Sequence, residues 1–179
     1  MFKNLLAVLP ILFIMSCASL SEDSCRSGNW GTIGFNDGVN GALESYVNQH
    51  RKACADFGIT PDVSAWLQGR TQGLKQYCTP VNAYNEGRSG SELNAVCTRR
   101  IDRLQLANFY GLRYYEIAEE IDDLEDEIDD LRERIDTEFG DDPNKEERQL
   151  RRFYRNQIET ARDKIRDLEW DQRRYDDLP

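Results

Sequence analysis

Residues 117–135 read IAEEIDDLEDEIDDLRERI. Ile117, Ile121, Leu124, Ile128, Leu131 and Ile135 recur at steps of four, three, four, three and four, the spacing of a coiled-coil seam. Gly140-Asp141-Asp142-Pro143-Asn144 then breaks the helix with a compact turn. A second seam follows through Tyr154, Ile158, Ala161, Ile165, Leu168, Gln172 and Tyr175. Folding the chain back at Asp142-Pro143 pairs positions whose numbers sum to about 285, which superimposes the two seams. Ile128 then meets Ile158, Leu124 meets Ala161, Ile121 meets Ile165, Ile117 meets Leu168 and Tyr110 meets Tyr175. The spacing therefore predicts an antiparallel helical hairpin. Its rival is a homodimer, a parallel coiled coil between chains through Ile121 to Ile135, which leaves the turn and the second seam without a purpose.

Charge patterning fits the same register. Ten acidic and no basic residues lie between Glu116 and Asp130, while the facing stretch holds Arg155, Arg162, Lys164 and Arg166. Part of the acidic flank, Glu119, Asp123, Asp126 and Asp130, is left over as a candidate surface for a basic partner.

Working outward, composition divides the chain. Residues 112–179 hold 13 basic and 24 acidic side chains, a net of -11. Residues 18–111 hold nine of each and are neutral; Lys3 supplies the remaining positive charge of a total of -10. Eleven of the twelve glycines lie between Gly28 and Gly111, so a boundary falls near Gly111. A surplus of acid argues against nucleic acid as a partner, because phosphate binding draws on Lys and Arg. With a single histidine among 179 residues, little imidazole chemistry is available.

The neutral region reads as short helices joined by glycine-rich turns. Trp30, Gly34, Gly38 and Gly41 share one helical face, as do Trp66, Gly69, Gly73 and Tyr77, offset by 35 or 36 residues. The two copies suggest an internal duplication. Glycine inside a helix costs about 1 kcal/mol relative to alanine, so its repetition on one face calls for close helix packing. Leu43, Tyr46, Val47, His50, Cys54 and Phe57 form an apolar stripe, which makes His50 a core histidine rather than a catalytic base. Gly58 and Thr60-Pro61 mark a helix end and the next helix start. Thr79 to Ala95, rich in Asn, Gly and Ser, reads as a long loop.

The amino terminus carries an export signal. Lys3 precedes an apolar run from Leu5 to Met15, too short at eleven residues to span a bilayer as a helix. Ile14-Met15-Ser16-Cys17 resembles the lipobox of bacterial lipoproteins, with Met15 an unusual residue in it. That resemblance implies cleavage before Cys17, its lipidation and, with Ala18 next, an outer-membrane location on the periplasmic face. The alternative is an ordinary signal cleaved near Ala18-Ser19 and a soluble periplasmic protein. Removing residues 1–17 leaves Cys25, Cys54, Cys78 and Cys97, an even number that reads as two disulfides in an exported chain. Three pairings are open; the sequential one, Cys25 with Cys54 and Cys78 with Cys97, is favoured because each joins neighbouring elements. No pair has zinc-site spacing.

Several of these residues occur in a fixed order: Trp30, Gly34, Asp37-Gly38 and Gly41; His50 and Cys54; Trp66, Gly69-Arg70, Gly73-Leu74, Tyr77-Cys78 and Pro80; then Gly87, Gly90 and Val96-Cys97. The succession resembles a bacterial lipoprotein family known only as a domain of unknown function, number twenty-seven ninety-nine. The likeness covers Cys25 to Gly111. Trp66 stands where the family leads one to expect tyrosine, and Thr98 where it leads one to expect proline. The resemblance implies a lipoprotein and a fold, and brings no catalytic residues.

The sequence thus predicts an all-α chain: a signal over 1–17, a disulfide-stapled helical module over 18–111 and an antiparallel helical hairpin over 112–179. No catalytic constellation, cofactor or metal site is expected. The expected role is structural or protein-interacting at the cell envelope, with an envelope protein as partner and the membrane reached through a lipid on Cys17. The alternative is a module binding an envelope glycan or small ligand on Trp30, Trp66 and Tyr84.

Overall fold

A computed structural model describes residues 20–140 and 143–178. The signal segment with Cys17, and Asp141 and Asp142 of the turn, lie outside the described residues. The described chain is helical without strands: α1 (Glu22–Ser27), α2 (Trp30–Val39), α3 (Val47–Ala55), α4 (Val63–Tyr77), α5 (Pro80–Arg88), α6 (Ile101–Thr137) and α7 (Lys145–Gln172).

The helices pack as three successive pairs. Helices α2 and α4 lie backbone against backbone. A Cβ placed on Gly34, Gly38, Gly69 or Gly73 would stand well inside 3.0 Å of the facing helix's main chain. This is the close approach that the repeated glycine requires, and it refines the duplication. The two Trp and Gly motifs are the two sides of one seam.

What is repeated is the pair. Gly34, Gly38 and Gly41 on and after α2 correspond in spacing to Ala83, Gly87 and Gly90 on and after α5. Gly69, Gly73 and Tyr77 around α4 correspond to Ala107, Gly111 and Tyr115 on α6. Gly87 and Gly111 meet each other's helix as closely as the glycines of the first pair. In both pairs the tyrosine ring of the second helix covers the glycine that ends the first, Tyr77 over Gly41 and Tyr115 over Gly90. Both glycines have positive φ, +67° and +78°, so the ring occupies the space that a side chain there would need.

Each pair is closed by its own disulfide. Cys25–Cys54 and Cys78–Cys97 both join the lead-in of a pair to the connection between its helices. The sequential pairing is the one found. The first connection carries α3, and the second, shorter connection has no helix.

The stretch read as a loop from Thr79 to Ala95 contains α5, which corrects that expectation. The Thr79 hydroxyl accepts from the Asn82 N–H at 3.2 Å and Pro80 occupies the first turn, so a capped helix start precedes residues that resemble loop formers. The start of α4 also differs: its cap is Asp62, accepting from the Ala65 N–H at 3.0 Å, two residues beyond Thr60.

Helix α6 runs unbroken through Gly111, so the compositional border falls inside a helix. Its second half pairs with α7 in the expected register. Ile128, Leu131, Tyr154, Ile158 and Ala161 are buried together, flanked by Leu124, Ile135, Phe139 and Ile165. The Tyr110 and Tyr175 rings meet edge to face at 5.4 Å, Gln172 donates to the Tyr114 carbonyl at 3.3 Å, and Lys164 pairs with Glu120 at 2.7 Å. Those residue numbers sum to 285, 286 and 284. Asn144 and Glu147 form a reciprocal capping box at the start of α7. Charge contributes less across the hairpin than its patterning suggests, since Arg162 and Arg166 pair within α7, with Glu159 and Asp163.

Candidate functional site

Two places combine polar chemistry with a defined setting. The first lies at the heart of the leading pair. Asp37 on α2 presents Oδ2 to His50 Nε2 of α3 at 2.7 Å and to Trp66 Nε1 of α4 at 2.6 Å. One carboxylate oxygen therefore ties three helices. His50 is 1% exposed, with the Tyr46 ring edge-on at 5.0 Å and the Trp66 ring at 6.3 Å. Next to it, buried Arg70 donates from Nε to the Ala42 carbonyl at 2.6 Å and its Nη1 lies 3.6 Å from Glu44. Buried polar groups are tolerated when hydrogen-bonded, and here the bonds fix how α2, α3 and α4 meet. The Asp37 side chain borders an open cleft of about 410 Å³ with Asn40, Tyr46, Gln49 and Asn94. His50 itself is shielded from that cleft's solvent by its burial.

The trailing pair is tied differently. Asn108 of α6 is buried, donates to the Ala83 and Ser91 carbonyls at 3.0 Å each and accepts from the Leu93 N–H at 3.2 Å. Asn94 links the two pairs, donating from its side chain to the Gly41 carbonyl at 3.1 Å and from its N–H to the Tyr77 hydroxyl at 2.9 Å. Burial raises the Tyr77 phenol pKa above its usual 10.0.

The aromatic residues expected to form a ligand platform do not form one. Trp30 is 5% exposed, Trp66 0% and Tyr84 6%. Trp30 and Trp66 fill one core, and Tyr84 belongs to another. The Tyr84 hydroxyl donates to the chain's own Tyr175 and Asp176 carbonyls, 2.7 Å from each. Arg88, 3.6 Å from the Tyr114 ring centroid, pairs with Asp176 at 3.2 Å. These contacts dock the end of the hairpin onto the trailing pair. Their physical reason is burial: an aromatic ring between glycine-seamed helices contributes more by leaving water than by facing it.

The second place is the outer side of α6. Glu119, Asp123, Asp126 and Asp130 follow at steps of four, three and four, away from the Ile and Leu seam, and all four are exposed. None has a Lys or Arg nitrogen within 4.0 Å among the described residues. The stripe's field reaches its neighbour: the Glu119 charge raises the Tyr115 phenol pKa above 10.0.

Among the described residues no group of three or more His, Cys, Asp or Glu side chains is placed to hold a metal ion. No helix among them is long and apolar enough to cross a membrane. The two disulfides are compatible with an extracytoplasmic location. Sequence reasoning missed three features: the Asn108 tie, the Gly87 and Gly111 seam, and the docking of Tyr84 on residues 175 and 176. Only the seam had a readable signal, the small residue and glycine at matched four-residue spacing on both helices.

No curated protein and no solved structure matches the chain. Residues 29–112, which contain both glycine-seamed contacts, match the model of the family described as "Protein of unknown function (DUF2799)".

Proposed function

We propose that the chain is a lipid-anchored protein of the bacterial cell envelope, held by Cys17 at the periplasmic face of the outer membrane, with a structural or protein-interacting role and no catalysis. The apolar run from Leu5 to Met15 followed by Ser16-Cys17 supports export and anchoring. The observation that carries the interaction reading is the stripe Glu119, Asp123, Asp126 and Asp130, exposed and without a basic partner among the described residues. Ten acidic residues between Glu116 and Asp130 repel one another, and a basic protein surface relieves that repulsion. The disulfide-closed pairs serve as a rigid base from which the hairpin presents this stripe.

The test has two arms in intact cells. Cys17→Ser is expected to release the protein from the membrane fraction and abolish labelling by a radioactive fatty acid; unchanged labelling sinks the anchor. Crosslinking followed by mass spectrometry is expected to recover an envelope protein with the native stripe and to lose it when all four acids are changed to Asn or Gln. Recovery of the same neighbours by both forms removes the stripe from the interaction.

A further inference from the structure

The hairpin has two flanks where α6 and α7 meet, and one of them is patterned by charge. It carries a groove of about 490 Å³ walled by Glu125, Asp129 and Arg132 from α6 and by Arg162, Arg166 and Glu169 from α7. Ile128 and Ile165 lie at its floor. At helical spacing the same flank continues through Asp122 and Asp136 on α6, and through Arg155, Arg151 and Arg148 on α7. One edge is therefore mainly acidic and the other mainly arginine. Arg148, Arg151 and Arg155 have no carboxylate within 4.0 Å among the described residues. Arg151 Nε is moreover buried without a hydrogen-bond partner, the single such side-chain atom found among those residues.

We propose that this flank is the contact between two copies of the chain. A two-fold axis parallel to the hairpin lays α6 of one copy over α7 of the other, with both tips pointing the same way, and closes a four-helix bundle. In the register where paired numbers sum to about 285, Asp122 and Glu125 of one copy stand within a turn of the other's Arg162, Asp129 of its Arg155, and Asp136 of its Arg148 and Arg151. The two-fold axis across the hairpin instead sets acidic α6 on acidic α6, so charge selects the first arrangement. The overlap from Leu112 to Thr137 is about 39 Å long at 1.5 Å per residue and two helices wide, about 800 Å² on each copy, the size of a standard specific interface. Pairs already made within one helix, Asp129 with Arg132 and Arg162 with Glu159, are exposed and exchange at little cost. The stripe Glu119 to Asp130 on the outer side of α6 stays outside this contact, so the inference does not rest on the proposed interaction role.

Sedimentation equilibrium of the full-length chain carrying Cys17→Ser tests it. The chain is expected to sediment at twice its sequence mass at low ionic strength and to shift towards monomer as salt screens the contact. Reversing the arginine edge, Arg155→Glu with Arg162→Glu, is expected to give monomers, as is reversing the acidic edge, Glu125→Arg with Asp129→Arg. Mixing the two monomeric variants is expected to restore a dimer containing one of each, which a merely unfolded variant could not do. A monomeric parent chain at low salt overturns the proposal; so does a dimer that survives either reversal.

Discussion

Helix α6 is packed in two ways along its length. Its first turns lie against α5 with Gly87 and Gly111 at the contact, so close that neither helix has room for a Cβ there. Its later turns lie against α7 through Ile128, Leu131, Tyr154 and Ile158, with whole side chains between the backbones. The glycine seams are fixed by shape, and each is closed by a disulfide. The Ile and Leu seam has no covalent closure and carries the chain's acidic surplus on its surface. Bulk should therefore damage the first kind of contact, and surface change should barely touch the second.

The largest effect is expected from the disulfides. In the chain-entropy account, loops of this length contribute about 3 kcal/mol each. Replacing all four of Cys25, Cys54, Cys78 and Cys97 by serine should unfold the glycine-seamed pairs under mild denaturant while the hairpin retains helical circular dichroism. Simultaneous loss of both regions would merge what is separated here. Next come the glycines. Gly34→Ala and Gly111→Ala each force a methyl group into a facing main chain that cannot rotate aside, at about 2 to 3 kcal/mol in urea titrations. Gly140→Ala, with nothing within 4 Å of the added carbon, should stay within about 0.5 kcal/mol. Equal effects at Gly34 and Gly140 would break the distinction. Smaller still is the charge across the hairpin: Lys164→Ala removes the pair with Glu120 and should cost no more than about 1 kcal/mol.

The smallest effect is a shared response to alkali. Burial is the chief cause raising the phenol pKa of Tyr77 in the first region and of Tyr154 in the second. A raised folded-state value favours the neutral phenol in the native protein. Its contribution is complete below 10.0, the unperturbed value, and is lost as pH rises through the folded-state value. Tyr77→Phe should flatten that alkaline loss in the glycine-seamed pairs alone, and Tyr154→Phe in the hairpin alone, measured by chemical denaturation across the alkaline range.

The hairpin was legible because its signal is local and periodic: six seam positions before the turn and seven after it determine register to within a residue. The Trp and Gly faces were legible as packing surfaces for the same reason. Their relation was not, since the sequence shows two similar motifs and leaves open whether they are copies or the two sides of one contact. Helix α5 was hidden because Asn82, Asn85 and Gly87 are turn formers by composition, while the packing of Gly87 against Gly111 is non-local. For the candidate site, His50 read as a core residue and the structure gives it Asp37 and buries it. The aromatic platform failed because residue type does not tell a buried ring from a displayed one. The acidic stripe was visible from spacing alone, and the structure leaves it exposed.

A disulfide map of the protein taken from intact envelopes under thiol-trapping conditions tests most directly the repeated, separately closed helix pair in an oxidising location. The expected map links Cys25 to Cys54 and Cys78 to Cys97, with no free thiol among the four. A Cys54–Cys78 link, which ties one pair to the other, or four trapped thiols would contradict it.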